Sequence, residues 1–329
     1  MIAAPPARVH DPSPITQRAI DLVAERRPVA EELGRDLAGF VQDPDTFAIR
    51  LALGLQGLAD PEYQEGQRRI APGIGAVYGV RWPLLAAVQR GFRVTTRRDR
   101  IGAQHLAVAE RLFHEPELEH HWFAFGLLER LVVVDPERSW QLLRRAAREA
   151  GDWITVDSLA HPFGRGILTE PYRWAELEQL VYGPSRWERR LVGSTIATIP
   201  FVDRRLGRTP AVAAHAFPIL RETIGDAEPD VQKALAWALR ALVLVDRPGV
   251  TRFLDEEATT AARTADGHRA WVIRDALIKL DPAIAMGIRA KLDGIRRKAG
   301  AGSTSRAAET AARFNDLPLG RPLPEPPLR

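Results

Sequence analysis

Trp153 and Asp157, in the stretch GDWITVDSLA, stand four residues apart. On a helix that spacing puts an indole and a carboxylate on one face, one turn apart. An unpaired carboxylate resists burial, so the pair reads as the lining of a cleft and not as core. Two further stretches set aromatic and basic side chains at helical spacing. RWERRLVGSTI carries Trp187 and, three residues on, Arg190; VQKALAWALRAL carries Lys233, Trp237 and Arg240. A carboxylate among indoles stabilises a developing positive charge and can orient a water. Each indole face adds a cation–π attraction of roughly 0.5–2 kcal/mol.

Other chemistries are excluded by what the chain lacks. Cysteine is absent, which removes disulfides, thiolate metal sites and cysteine nucleophiles. Neither GxxxxGK[ST] nor HExxH occurs. The His120–His121 pair in EHHWF lacks a third ligand at metal spacing, so no metal site is expected. Gly73, Gly75 and Gly79 in PGIGAVYG precede no βα unit and read as a turn. The N-terminus has no apolar run of signal length, and no stretch approaches about 18 uninterrupted apolar residues. A soluble cytoplasmic protein is expected, with no membrane partner.

Charge is informative through its distribution. Lys and Arg number 46 against 42 Asp and Glu, a net +4. The basic residues are mostly arginine and fall in clusters: Arg81, Arg90, Arg93, Arg97, Arg98 and Arg100; Arg186, Arg189 and Arg190; Arg204, Arg205 and Arg208; and IRRK ending at Lys298. Any one cluster suits a solvated helix face, but several along one chain point to a polyanion track.

Helices must position these residues, because helical patterning dominates. Segments of about 12 to 18 residues with apolar spacing of three and four recur in pairs, several opened by Asp-Pro or Glu-Pro. The spacing predicts an all-α, HEAT-like α-solenoid of paired antiparallel helices with a concave basic face. Residues 1–13 read as a flexible segment, 14–298 as one helical-repeat domain, and 299–329 as a Pro/Gly-rich disordered tail. Trp122, Trp140 and Trp174 read as core.

With these motifs in place, the chain resembles the DNA alkylation repair family, the AlkD-like HEAT-repeat DNA glycosylases. The family's W-x-x-x-D element matches Trp153 and Asp157, with Asp152 where a first tryptophan usually stands. Its W-x-x-R-x-A-I helix matches Trp187 and Arg190. Its QKAxxWxLRE helix matches QKALAWALRA, with Trp237 at the key position and Ala241 replacing a glutamate. GVRWPLLAAVQR, holding Arg81, and IRDALIKL, holding Arg274, resemble two further family segments. The likeness runs from Ile74 to Leu280.

The resemblance implies a monofunctional glycosylase of base excision repair, hydrolysing the N-glycosidic bond of purines alkylated at N3 or N7 in duplex DNA, without a cofactor. By this resemblance Asp157 is the catalytic carboxylate, Trp153 and Trp237 flank the sugar and phosphate, and Arg190 holds the backbone. Arg189, Lys233, Arg240, Arg274 and Arg81 are the further DNA-binding candidates. The expected partner is double-stranded DNA containing alkylated bases, bound by a nucleoid-associated monomer. Alkylation makes the base a cationic leaving group, and the sugar then acquires oxocarbenium character that a carboxylate can stabilise. Two rival readings are a non-catalytic DNA- or lesion-binding HEAT-repeat protein and a protein-interaction scaffold. The scaffold predicts an acidic or apolar concave face.

Overall fold

A proline in the first turn, behind an acidic or hydroxyl cap, starts many of the helices. Asp43 accepts from Thr46 N ahead of Pro44, and Asp281 accepts from Ala283 N ahead of Pro282. The cap satisfies an orphan N–H, while proline has none to lose. A computed structural model describes residues 12–98 and 102–313; the remaining termini, and Arg100 of the first basic cluster, lie outside the described residues.

Among the described residues the chain is all-α, with sixteen α-helices and no strand. The first six are α1 (Pro14–Leu37), α2 (Pro44–Leu58), α3 (Pro61–Ile70), α4 (Trp82–Thr95), α5 (Ala103–Leu112) and α6 (Leu118–Leu131). There follow α7 (Pro136–Glu149), α8 (Trp153–Thr169), α9 (Arg173–Gln179), α10 (Arg186–Val202) and α11 (Pro210–Thr223). The last are α12 (Pro229–Leu242), α13 (Arg247–Thr264), α14 (Gly267–Ala276), α15 (Pro282–Lys291) and α16 (Arg306–Ala312).

Packing divides the chain into two compact units. One comprises the chain up to Ile70 together with Gly75–Ala124; the other comprises Ala71–Ile74 and everything from Phe125 onward. The boundary falls inside α6, a continuous helix, so no Pro/Gly/Ser linker marks it in the sequence. The first unit closes around Phe47, Phe92 and Phe123, whose rings meet edge to face at 5.6–5.7 Å.

In the second unit α8, α10, α12 and α14 pack side by side in chain order. Helix α10 lies between α8 and α12, and every residue from Arg189 to Pro200 is buried. Such close packing needs a small residue. A Cβ added to Gly193 would lie 2.7 Å from the backbone carbon of Ala234 on α12. Any charge on this stretch of α10 must therefore be paired. The three tryptophans read as core, Trp122, Trp140 and Trp174, are indeed buried, whereas Trp153 and Trp237 are half-buried.

The tail differs from the expectation. Residues 314–329 lie outside the described residues, but 299–313 are held against the second unit. Thr304 N donates to Gly225 O at 2.8 Å, Ala227 N donates to Ser303 Oγ at 2.9 Å, and the Thr304 hydroxyl donates to the Asp266 carboxylate. The close approach is allowed by Gly225, where an added Cβ would lie 2.7 Å from Ser305 N. At the other end Ser13, the last residue of the segment read as flexible, caps α1 by accepting from Thr16 N.

Candidate functional site

Three neighbouring helices of the second unit converge on one carboxylate. Asp152 begins α8 as its N-cap, accepting from Ile154 N at 2.8 Å and Thr155 N at 3.0 Å. Asp152 thus sets where the helix starts. Trp153 and Asp157 follow on one face, and both are half-buried.

Arg190 of α10 reaches across to Asp157. Its Nε donates to Oδ1 at 3.1 Å and its Nη2 to Oδ2 at 2.8 Å. Ser194, one turn along α10 and fully buried, donates its hydroxyl to Oδ1 at 2.6 Å. Arg190 Nη1 donates to the carbonyl of Asp230, in the first turn of α12, at 2.7 Å. The guanidinium also lies 5.9 Å from the centre of the Trp153 ring, at the outer edge of cation–π range. One arginine therefore ties α8, α10 and α12 together.

Lone-pair accounting shows what remains open. A carboxylate has about four acceptor positions. Arg190 Nε and Ser194 fill those of Oδ1, and Arg190 Nη2 takes one on Oδ2, which leaves one open on Oδ2. The Asp157 side chain keeps 21% of its surface exposed while that of Arg190 keeps 6%. Asp157 is thus presented outward with its orientation fixed from beneath. Trp237 stands two turns beyond Asp230 on α12, a spacing that returns to the same helix face.

The other basic candidates have different surroundings. Arg189 is buried, with Nε on Asp226 at 2.8 Å and Nη1 on the carbonyls of Gly183 and Pro184. Arg240 donates to the Asp275 carboxylate. Arg274 donates to the carbonyls of Leu292 at 2.6 Å and Ile295 at 2.7 Å. Arg81 belongs to the first unit, where Asp60 holds its Nε at 2.8 Å and Tyr63 lies under its guanidinium. Lys233 alone of these candidates is exposed, with 62% of its side chain accessible and Asp230 4.0 Å away. The resemblance puts Arg190 on the DNA backbone; the structure gives three of its five N–H donors to Asp157 and Asp230.

Two groups escaped the sequence reading. Ser194 was one, although its place four residues after Arg190 put it on the same face. The other is the pair Glu115 and Glu117 in the first unit, which come together with His120, although the His120–His121 pair reads in the sequence as lacking a third ligand. Burial pushes the His120 imidazole down to about 4, so the ring is neutral at pH 7. The short run EPELEHH held that signal.

An all-α helical array in which Asp157, Arg190 and Trp153 meet is what the fold and the site define. The family model for DNA alkylation repair enzymes matches residues 51–280, and the chain belongs to that family. No curated protein matches it. Membership supports a role in DNA alkylation repair, with DNA as the partner. No helix among the described residues is long and apolar enough to cross a membrane.

Proposed function

We propose that the second unit is a DNA glycosylase that hydrolyses the N-glycosidic bond of cationic N3- or N7-alkylated purines in duplex DNA. The observation that carries this reading is the braced, outward-facing Asp157 carboxylate beside Trp153. When the C1′–N bond breaks, its electron pair passes to the base and neutralises the cation, so the base needs no acid to leave. Positive charge develops on the sugar, where the open lone pair of Asp157 Oδ2 offers electrostatic stabilisation. Water then adds through oxygen to C1′ and gives its proton to Asp157 or to solvent. An abasic sugar and a neutral alkylpurine result. Trp153 and Trp237 flank the sugar and phosphate, and the exposed Lys233 offers a phosphate contact. Arg190 acts chiefly by fixing the carboxylate.

This chemistry separates lesions by charge. Matched duplexes carrying 7-methylguanine, uracil or hypoxanthine at one position, assayed for base release under single-turnover conditions, test it. Release of 7-methylguanine with little or no release of the neutral bases is expected. Uracil or hypoxanthine leaving as fast as 7-methylguanine would require a general acid that the reading does not contain.

A further inference from the structure

The turn between α5 and α6 gathers three side chains that the repair chemistry does not use. Glu115, Glu117 and His120 each present a ligand atom, and these atoms all lie within 4.8 Å of one another. His120 is fully buried, neither ring nitrogen has a hydrogen-bond partner, and Nδ1 lies 3.6 Å from Glu117 Oε2. Buried polar atoms are nearly always satisfied, so an orphaned imidazole beside two carboxylates calls for an explanation.

The surroundings fix the cluster without supplying the missing partner. Glu119, the nearest other acid in the chain, is occupied: its carboxylate accepts the N–H groups of Tyr78, Gly79 and Val80 at 2.8–3.0 Å. His121 Nε2 pairs with the Glu115 carbonyl at 2.8 Å. The Tyr78 ring meets the His120 ring edge to face at 5.6 Å, which holds its plane. Leu118 N donates to Ala76 O at 2.9 Å and anchors the turn itself.

Charge completes the case. Arg111 is shared between Asp45 at 2.6 Å and Glu115 at 2.5 Å. Glu115 and Glu117 set two carboxylates against the one guanidinium of Arg111, which Asp45 shares, so the cluster carries an excess of negative charge that a dication offsets. Arg111 holds one Glu115 oxygen and so orients the group, as outer partners of metal ligands commonly do.

We propose that Glu115, Glu117 and His120 bind one first-row divalent ion of the Zn2+ class and so pin the α5–α6 turn to the start of α6. An imidazole nitrogen with two carboxylate oxygens is a mixed donor set that suits such ions better than Mg2+ or Ca2+, which favour oxygen alone. Ligand atoms of a tetrahedral site at about 2.0–2.2 Å from the ion lie roughly 3.3–3.6 Å apart. The His120–Glu117 separation already meets that, and the half-exposed glutamates need only small side-chain rotations. Water completes the coordination.

The test uses the full chain, freed of metal by a chelator and titrated with ZnCl2 near pH 7.5. Calorimetry should give one Zn2+ per chain, and a hundredfold excess over Kd should raise Tm by on the order of 5 °C. Glu117→Gln, which alters a partly exposed side chain, should weaken binding at least tenfold, and His120→Gln should do likewise while circular dichroism reports that both fold. X-ray absorption should show nitrogen and oxygen neighbours at about 2.0–2.2 Å. No binding by the folded wild type, or binding unchanged in Glu117→Gln and His120→Gln, would overturn the proposal. Base release at Asp157, in the other unit, is a separate readout, so failure here leaves the glycosylase reading intact.

Discussion

Arg190→Lys separates two roles that one arginine could play, a brace for Asp157 or a clamp on a DNA phosphate. Lysine keeps the charge, so a clamp largely survives the change. A brace does not, because lysine is a point donor and cannot make the two-point contact with both carboxylate oxygens. The substitution removes at least one charge-assisted hydrogen bond to Asp157 and the Nη1 bond at 2.7 Å to the Asp230 carbonyl. Hydrogen bonds to charged groups contribute about 1.5–3 kcal/mol and neutral ones about 1 kcal/mol. The retained charge and the partial exposure of Asp157 offset part of that, so a net loss of stability near 2–3 kcal/mol is expected. The carboxylate, still held by Ser194 at Oδ1, is then oriented less firmly, and single-turnover release of 7-methylguanine should fall by roughly 10–100-fold, while duplex affinity changes by less than about threefold. Urea unfolding, single-turnover excision and fluorescence anisotropy read the three quantities. Full excision with weakened DNA binding would refute the brace.

Three other perturbations follow from the same geometry. Gly193→Ala places a methyl 2.7 Å from the Ala234 backbone; overpacking of about 1–3 kcal/mol exceeds the helix-propensity gain of up to ~1 kcal/mol, so Tm and excision should both drop, and an unchanged or higher Tm would contradict the close approach. Lys233→Gln should lower the slope of log affinity against log salt by about 0.9, the loss of one phosphate contact, and leave excision at saturating DNA intact; an unaltered slope would take Lys233 out of the interface. Burial raises the Glu188 carboxyl above its ordinary value, against the opposing pull of Arg144, Arg148 and Arg189. The folded chain therefore holds that proton more tightly than the unfolded chain, and the stability it lends is full in acid and fades as pH rises through the folded value. Glu188→Gln should melt above wild type at pH 7 and match it in acid below the ordinary carboxylate range; equal melting at both would count against the assignment.

Helix starts were legible because proline and an acidic cap act locally. Asp43 with Pro44 and Asp281 with Pro282 need nothing from the rest of the chain. The contrast among tryptophans was legible too, since the polar neighbours of Trp153 and Trp237 at helical spacing disfavour full burial. What a single arginine binds was not. Arg190 and Asp157 are 33 residues apart and meet only because α8 packs on α10. Arg81 and Arg189 read as parts of a basic track, and Arg240 and Arg274 as DNA contacts from their motifs, yet each is engaged by a carboxylate or a carbonyl that the fold brings from elsewhere. Small residues misled in the tail, where Ser303 and Thr304 make specific contacts with Ala227, Gly225 and Asp266. The unit boundary within α6 carries no compositional mark at all.

Asp157→Asn tests the central claim most directly. The amide preserves shape, and its oxygen can still accept from Ser194 and Arg190 Nε, but its NH2 meets Arg190 Nη2 donor to donor, so a stability loss of about 2–3 kcal/mol is expected while the folded protein keeps its duplex affinity. It removes the charge that faces the sugar. Single-turnover release of 7-methylguanine from a duplex should then fall by roughly 10²-fold or more, the scale of a lost charge-stabilising group. Release at the wild-type rate from a normally folded, DNA-binding Asp157→Asn protein would place the chemistry elsewhere and contradict the account.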